Sequence, residues 1–235
     1  MPAATDTTVR DHLALALDVD DLVVAARLAQ QVQPYFGVAK IGFELFTAAG
    51  PDAVQAMLEL GYDVFLDLKL HDIPNTVEKA ARVAGAMGAR YLTIHSMGGP
   101  VMLRAGVEGF LEGAMAAGLP APIPLAVTVL TSDGDAPPHI LPKRVELAVE
   151  AGAKGLICAG TDLGFVRELV PRFTLVVPGT RPVGVSAHDQ ARVTTPGEAL
   201  DAGADILVIG RAITEAVDPV KAAEALVTSL SEGSR

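Results

Sequence analysis

Short apolar runs alternate with alanine-rich helical patterns along the whole chain. The runs are LALALD (13–18), VAKIG (38–42), YDVFLDLK (62–69), YLTIH (91–95), PLAVTVL (124–130), GLICA (155–159), TLVVP (174–178) and DILVIG (205–210). They are nearly continuous in apolar residues, as parallel strands covered by helices are. Four stretches repeat one local pattern: LGYDVFLDL, MGARYLTIH, AGAKGLICA and AGADILVIG. Each ends a helical pattern on a glycine (Gly61, Gly88, Gly152, Gly203) and then enters a strand. Glycine just past a helix end supplies the left-handed conformation that turns the chain back toward a sheet. A strand, a helix and their loops take roughly 25–30 residues, which leaves room for eight units. Eight alternating units predict a closed (β/α)8 barrel. An open doubly wound sheet is the alternative, but no GxGxxG follows the first strand. No linker-like tract divides the 235 residues, so residues 1–235 read as one α/β domain.

Composition narrows the function classes. A formal charge of -10 argues against a surface built for nucleic acid or anionic lipid, while leaving room for a local cationic site. The single Cys158 cannot form an internal disulfide, and no CxxC or Cys/His metal pattern appears, so a reducing cytoplasm is expected. The start, MPAATDTTVRDH, lacks the basic and apolar regions of a signal peptide. The uncharged run Gly113–Ser132 is interrupted by Gly118, Pro120, Pro122 and Pro124, so it reads as helix plus strand and not as a membrane span.

The active site of a (β/α)8 barrel lies at the C-terminal ends of its strands, and the unusual polar residues fall there. Asp18 ends the first strand, Lys40 nearly ends the second, and Asp67 and Lys69 end the third. His95 and Ser96 close the fourth, Thr131 and Ser132 follow the fifth, and Arg211 follows the eighth. Strand alternation points Asp67 and Lys69 one way and Leu66, Leu68 and Leu70 the other. The leucines suit the barrel–helix interface, which leaves the charged pair in the barrel mouth. A structural ion pair is the competing reading, and Lys40 and Asp72 close by weigh against it. Residues 178–192, PGTRPVGVSAHDQAR, form a long Gly- and Pro-containing loop, and IGRAI follows the last strand. Loops after strands seven and eight recurrently hold phosphate in this architecture, which makes Arg181, Gln190, Gly210 and Arg211 candidates. An ordinary solvent loop is the alternative. Cys158 reads as a buried hydrophobe, His95 as a hydrogen-bonded structural residue, and His12, His139 and His188 as surface residues. The acidic residues form no convincing metal-ligand pattern.

The string DLKLHDIPNT resembles the signature of the orotidine 5′-phosphate decarboxylase family. LALD, KIGFELF, TIHSMGG, AVTVLTS, the PG-x-RP opening of the long loop, DQARV and VIGRAIT extend the resemblance in the same order. It implies decarboxylation of orotidine 5′-phosphate to uridine 5′-monophosphate without cofactor or metal. It also implies a charge network of Lys40, Asp67, Lys69 and Asp72, with Lys69 as proton donor. Asp18 and Lys40 would contact the ribose, and Thr131 would lie by the pyrimidine. Arg181, Gln190, Gly210 and Arg211 would hold the 5′-phosphate. Asp72, Ile73 and Thr76 would reach a neighbouring subunit's site, so a homodimer with shared sites is implied. The Asp-x-Lys-x-x-Asp core is common to a wider superfamily, which leaves two alternatives: a magnesium-dependent sugar-phosphate lyase, or a non-catalytic nucleotide-binding barrel.

Overall fold

The structure is a computed structural model and describes residues 7–130, 133, 136–180 and 194–233. Among these, eight strands form a closed parallel barrel: β1 (Leu13–Leu17), β2 (Val38–Ile41), β3 (Asp63–Leu70), β4 (Tyr91–His95), β5 (Ile123–Val127), β6 (Gly155–Ile157), β7 (Thr174–Val177) and β8 (Ile206–Ile209). Each pairs in parallel with the next, and β8 closes on β1 through Leu13–Leu207, Ala14–Val208 and Leu15–Ile209. The eight apolar runs are therefore the eight strands. Several end earlier than the apolar pattern, notably β5 and β6, because the chain leaves the ladder while its residues stay apolar.

Two apolar layers result from strand alternation. Leu13, Leu15 and Leu17 of β1 face the helices, while Ala14 and Ala16 face inward. The small inward residues of β1 leave space for Phe65 of β3 and Tyr91 of β4, whose rings meet edge to face with centroids 6.0 Å apart. One step further along the strands, the inward positions turn polar: Val38 is followed by Lys40, Phe65 by Asp67, and Tyr91 by Thr93. This change of character marks the mouth.

The four repeated glycines have φ values of 81° (Gly61), 90° (Gly88), 82° (Gly152) and 98° (Gly203). Each closes its helix with the same pair of bonds. At the first, Gly61 N–H donates to Leu58 O and Tyr62 N–H to Met57 O. Such paired bonds satisfy the last helical carbonyls and aim the chain into the next strand. Gly118 makes a fifth turn of this kind, donating to Met115 O while Leu119 donates to Ala114 O.

The helices Pro74–Ala86 and Gly99–Ala116 follow β3 and β4 and pack backbone against backbone. A Cβ added at Gly109 would sit on the carbonyl of Glu78, and one at Gly113 on the carbonyl of Arg82. Their glycines thus hold together the two units that carry the charged end of the mouth. At the opposite end of the barrel, His12 is half-buried with Nδ1 2.6 Å from Asp205 O, a correction to its reading as a surface residue. The strand register there places it beneath β8. His139 is exposed, and His188 lies outside the described residues.

Replacing Gly113 by Ala forces these helices apart and is expected to destabilise the fold by about 1–3 kcal/mol. Gly164→Ala adds a methyl that meets nothing, and its melting temperature should not fall. Thermal denaturation of both variants checks the difference.

Candidate active site

A cavity of about 560 Å³ opens at the C-terminal ends of the strands. Its wall combines Asp18, Lys40, Asp67 and Lys69 with an apolar floor that includes Phe65, Val127, Ile157 and Val208. Across the mouth, Pro178 and Gly179 after β7 and Gly210 and Arg211 after β8 complete the lining. The fold therefore brings together six sequence-predicted residues: Asp18, Lys40, Asp67, Lys69, Gly210 and Arg211. Thr131, Arg181, Gln190 and the body of the 178–192 loop lie outside the described residues.

The charged side chains form an alternating chain. Lys40 Nζ lies 2.8 Å from Asp18 Oδ1 and 3.9 Å from Asp67 Oδ2. Lys69 Nζ lies 2.8 Å from Asp67 Oδ1. Asp67 is thus flanked by two ammonium groups with its side chain only 16% exposed, whereas the Lys69 side chain remains 32% exposed toward the cavity. A carboxylate withdrawn from water in this way is held by its cations, and the cations by it. Gly42 makes room for the pair nearest the rim: a Cβ there would approach Asp18 Oδ1 to 3.0 Å and Lys40 Nζ to 3.1 Å.

The third strand does not run straight to deliver Lys69. Leu66 pairs with Leu92 and Leu70 with Ile94, so Asp67, Leu68 and Lys69 bulge opposite the single residue Thr93. Lys69 has φ of 42° and is the sole non-glycine residue with positive φ among the described residues. A side chain held in that region carries strain on the order of 1–3 kcal/mol and depends on its surroundings to stay there. The buried Thr93 hydroxyl accepts from Lys69 N–H at 2.8 Å and donates to Asp67 Oδ1 at 3.0 Å. The expected faces survive the bulge: Leu66 and Leu68 join the helix-side core and Leu70 packs against it.

Asp72, Ile73 and Thr76 lie elsewhere. Residues 71–76 are all exposed, and Asp72 Oδ1 accepts from Ile73 N–H at 2.6 Å. Within one chain, Asp18 therefore completes the array with Lys40, Asp67 and Lys69, and Asp72 stands apart from it.

His95 is buried beside the site, accepting from Met97 N–H through Nδ1 at 3.3 Å and lying 5.7 Å from the His71 ring centroid. Burial brings its pKa down to about 4, with the positive charges of Arg144, His71 and Lys69 adding to the effect. It is neutral at neutral pH. Cys158 is fully buried and its thiol is pushed up to about 12 by desolvation, which suits a core residue. Thr93 and Gly42 are the site residues the sequence did not single out. A threonine in a strand and a glycine after one carry no local signal of what they touch.

Comparison with known proteins places this geometry. Residues 11–226 match the model of the orotidine 5′-phosphate decarboxylase / HUMPS family. The chain is 48% identical over 231 residues to a protein of Anaeromyxobacter sp. (strain K) named orotidine 5′-phosphate decarboxylase, covering 94% of this chain and 98% of that one. It is 45% identical to the protein of the same name from Moorella thermoacetica, covering 94% and 92%. The crystal structure of orotidine 5′-phosphate decarboxylase from Lactobacillus acidophilus superposes with a TM-score of 0.74 at 33% identity, over 93% of this chain and 98% of that chain. With the match running through every strand of the barrel, the chain belongs to the orotidine 5′-phosphate decarboxylase / HUMPS family.

Proposed function

We propose that this protein decarboxylates orotidine 5′-phosphate to uridine 5′-monophosphate and CO2, the last step in making a pyrimidine nucleotide. The observation that carries the mechanism is the Lys69 ammonium, fixed 2.8 Å from Asp67 in a cavity with an apolar floor. Loss of CO2 from C6 leaves an electron pair in the ring plane, where the π-system cannot readily take it up. A cation aimed at that carbon stabilises the developing charge, and a preorganised, water-poor site strengthens the effect. Lys69 then gives its proton to C6, and the C–C bonding pair becomes the new C–H bond. Asp67 keeps Lys69 in place between turnovers, and Lys40 helps to hold Asp67.

The remaining assignments are those the family resemblance implies. Asp18 and Lys40, paired at the rim beside Gly42, meet the ribose hydroxyls, and Thr131 lies by the pyrimidine. Arg181, Gln190, Gly210 and Arg211 grip the 5′-phosphate, with residues 178–192 as the gripping loop. Binding energy from that distant phosphate appears as rate when it drives closure over the reacting carbon. This chemistry calls on no cofactor or metal, because the cation aimed at C6 is the Lys69 ammonium itself.

The protein works as a cytoplasmic homodimer in which Asp72, Ile73 and Thr76 enter the partner's site. What supports this is an exposed rim: Ile73 is 65% exposed, Met97 59% and Val101 67%. The 71 and 98 segments adjoin, since a Cβ at Gly98 would lie 3.2 Å from the His71 ring. Apolar side chains of this size, exposed together beside an active site, suit an interface between copies.

Lys69→Ala should keep its circular dichroism spectrum and bind uridine 5′-monophosphate, while kcat falls about 100-fold or more in the orotate absorbance assay. Unchanged turnover would remove Lys69 from the mechanism. EDTA should leave wild-type turnover intact; activity lost to chelator and restored by magnesium would point to the sugar-phosphate lyase chemistry instead. Mixing inactive Lys69→Ala and Asp72→Ala proteins under subunit exchange should recover activity in about a quarter of the sites, since one site of each two-fold heterodimer is intact. No recovery would place each site within one chain.

A further inference from the structure

We propose that Thr93 is a positioning residue for Lys69, fixing both the backbone and the ion-pair partner of the ammonium through a single hydroxyl. The proposal rests on the reading of Lys69 as the group that stabilises and protonates C6.

On β4 the inward positions are Tyr91, Thr93 and His95, and Thr93 is fully buried. It stands where β3 breaks step: three residues, Asp67 to Lys69, face this one. A bulge of this kind removes a backbone N–H from the ladder, and a buried N–H needs another acceptor. The Thr93 oxygen is that acceptor for Lys69, at 2.8 Å.

A threonine hydroxyl has one proton to donate. With Lys69 N–H pointing at the oxygen, that proton goes to Asp67 Oδ1 at 3.0 Å. The same Oδ1 accepts from Lys69 Nζ at 2.8 Å. The contacts close a ring: Lys69 N–H to Thr93, Thr93 to Asp67, and Lys69 Nζ back to Asp67. Backbone and side chain of one lysine are thus tied through two intermediaries, and Thr93 is the member lying behind the cavity wall. The ring explains how a lysine at φ of 42° is held there without the help of glycine. Thr93 does not line the cavity and reaches it through Asp67 and Lys69, so its contribution belongs to the chemical step and not to substrate affinity.

The distinguishing experiment compares wild type, Thr93→Val and Thr93→Ser in kcat, KM for orotidine 5′-phosphate, and affinity for uridine 5′-monophosphate. Valine keeps the shape and removes the hydroxyl. It should lower kcat about 100-fold, the loss expected from displacing a catalytic group by about 1 Å. KM and nucleotide affinity should stay close to wild type. Serine restores the hydroxyl and should recover most of the rate. Wild-type kcat in Thr93→Val overturns the proposal, as does a raised KM with kcat unchanged, or a serine variant as slow as the valine. Should Thr93→Val fail to fold by circular dichroism, Thr93→Ala takes its place under the same expectations. A crystal structure of the hydroxyl-free variant gives a readout that needs no turnover. Lys69 should leave its positive φ and Nζ should move from Asp67, and an unmoved Lys69 overturns the proposal. Absence of turnover in wild type would defeat the decarboxylase reading, and the crystallographic comparison would still decide the role of Thr93.

Discussion

The carboxylate of Asp67 lies between two ammonium groups, and most of the site can be understood from what that requires. A largely withdrawn carboxylate needs partners for its oxygens. Asp67 finds Lys69 and the Thr93 hydroxyl at one oxygen and Lys40 near the other. Lys40 in turn needs more than a shared carboxylate, and Asp18, just past the end of β1, supplies it. Each charge is fixed by its neighbours, so the array stands ready before any substrate arrives. Such readiness is how an enzyme gains electrostatic stabilisation without rearranging dipoles during the reaction.

The barrel makes this array possible by dividing labour along each strand. Near the N-terminal ends, Ala14, Val38, Phe65 and Tyr91 fill the interior. Further on, the same inward positions hold Lys40, Asp67 and Thr93, supported from below by that packed layer. The glycine turns start successive strands with the same hydrogen-bond pair, and the close contact between the Pro74–Ala86 and Gly99–Ala116 helices steadies β3 and β4. Among the described residues, β3 departs from regularity at the charged array. The strand bulges at Asp67–Lys69, and the strained residue there is Lys69 itself.

How much of this the sequence disclosed depends on the range of the interaction. Strands were readable because parallel strands covered by helices are apolar over their length, and the left-handed turns because glycine marks them. The face shared by Asp67 and Lys69 followed from the two-residue period, with Leu66 and Leu68 confirming which side met the helices. The bulge could not be read: it has no glycine or proline, and a lysine at positive φ leaves no trace in composition. Thr93 looked like any β-branched strand residue, since its role exists only through β3. The Asp18–Lys40 contact joins two strands whose residues reveal proximity but not distance. His12 was misread for a related reason: its hydrogen-bond partner is the Asp205 carbonyl, far along the chain.

The proposed chemistry turns on one proton transfer, between the Lys69 ammonium and C6 of the pyrimidine. By microscopic reversibility, the same group must be able to remove the C6 proton from the product. Incubating uridine 5′-monophosphate with the protein in D2O and following the C6 proton by NMR measures this step alone. Protein-catalysed loss of the C6 proton signal is expected, abolished by Lys69→Ala at saturating nucleotide. No exchange with wild type, or equal exchange with the variant, would contradict it.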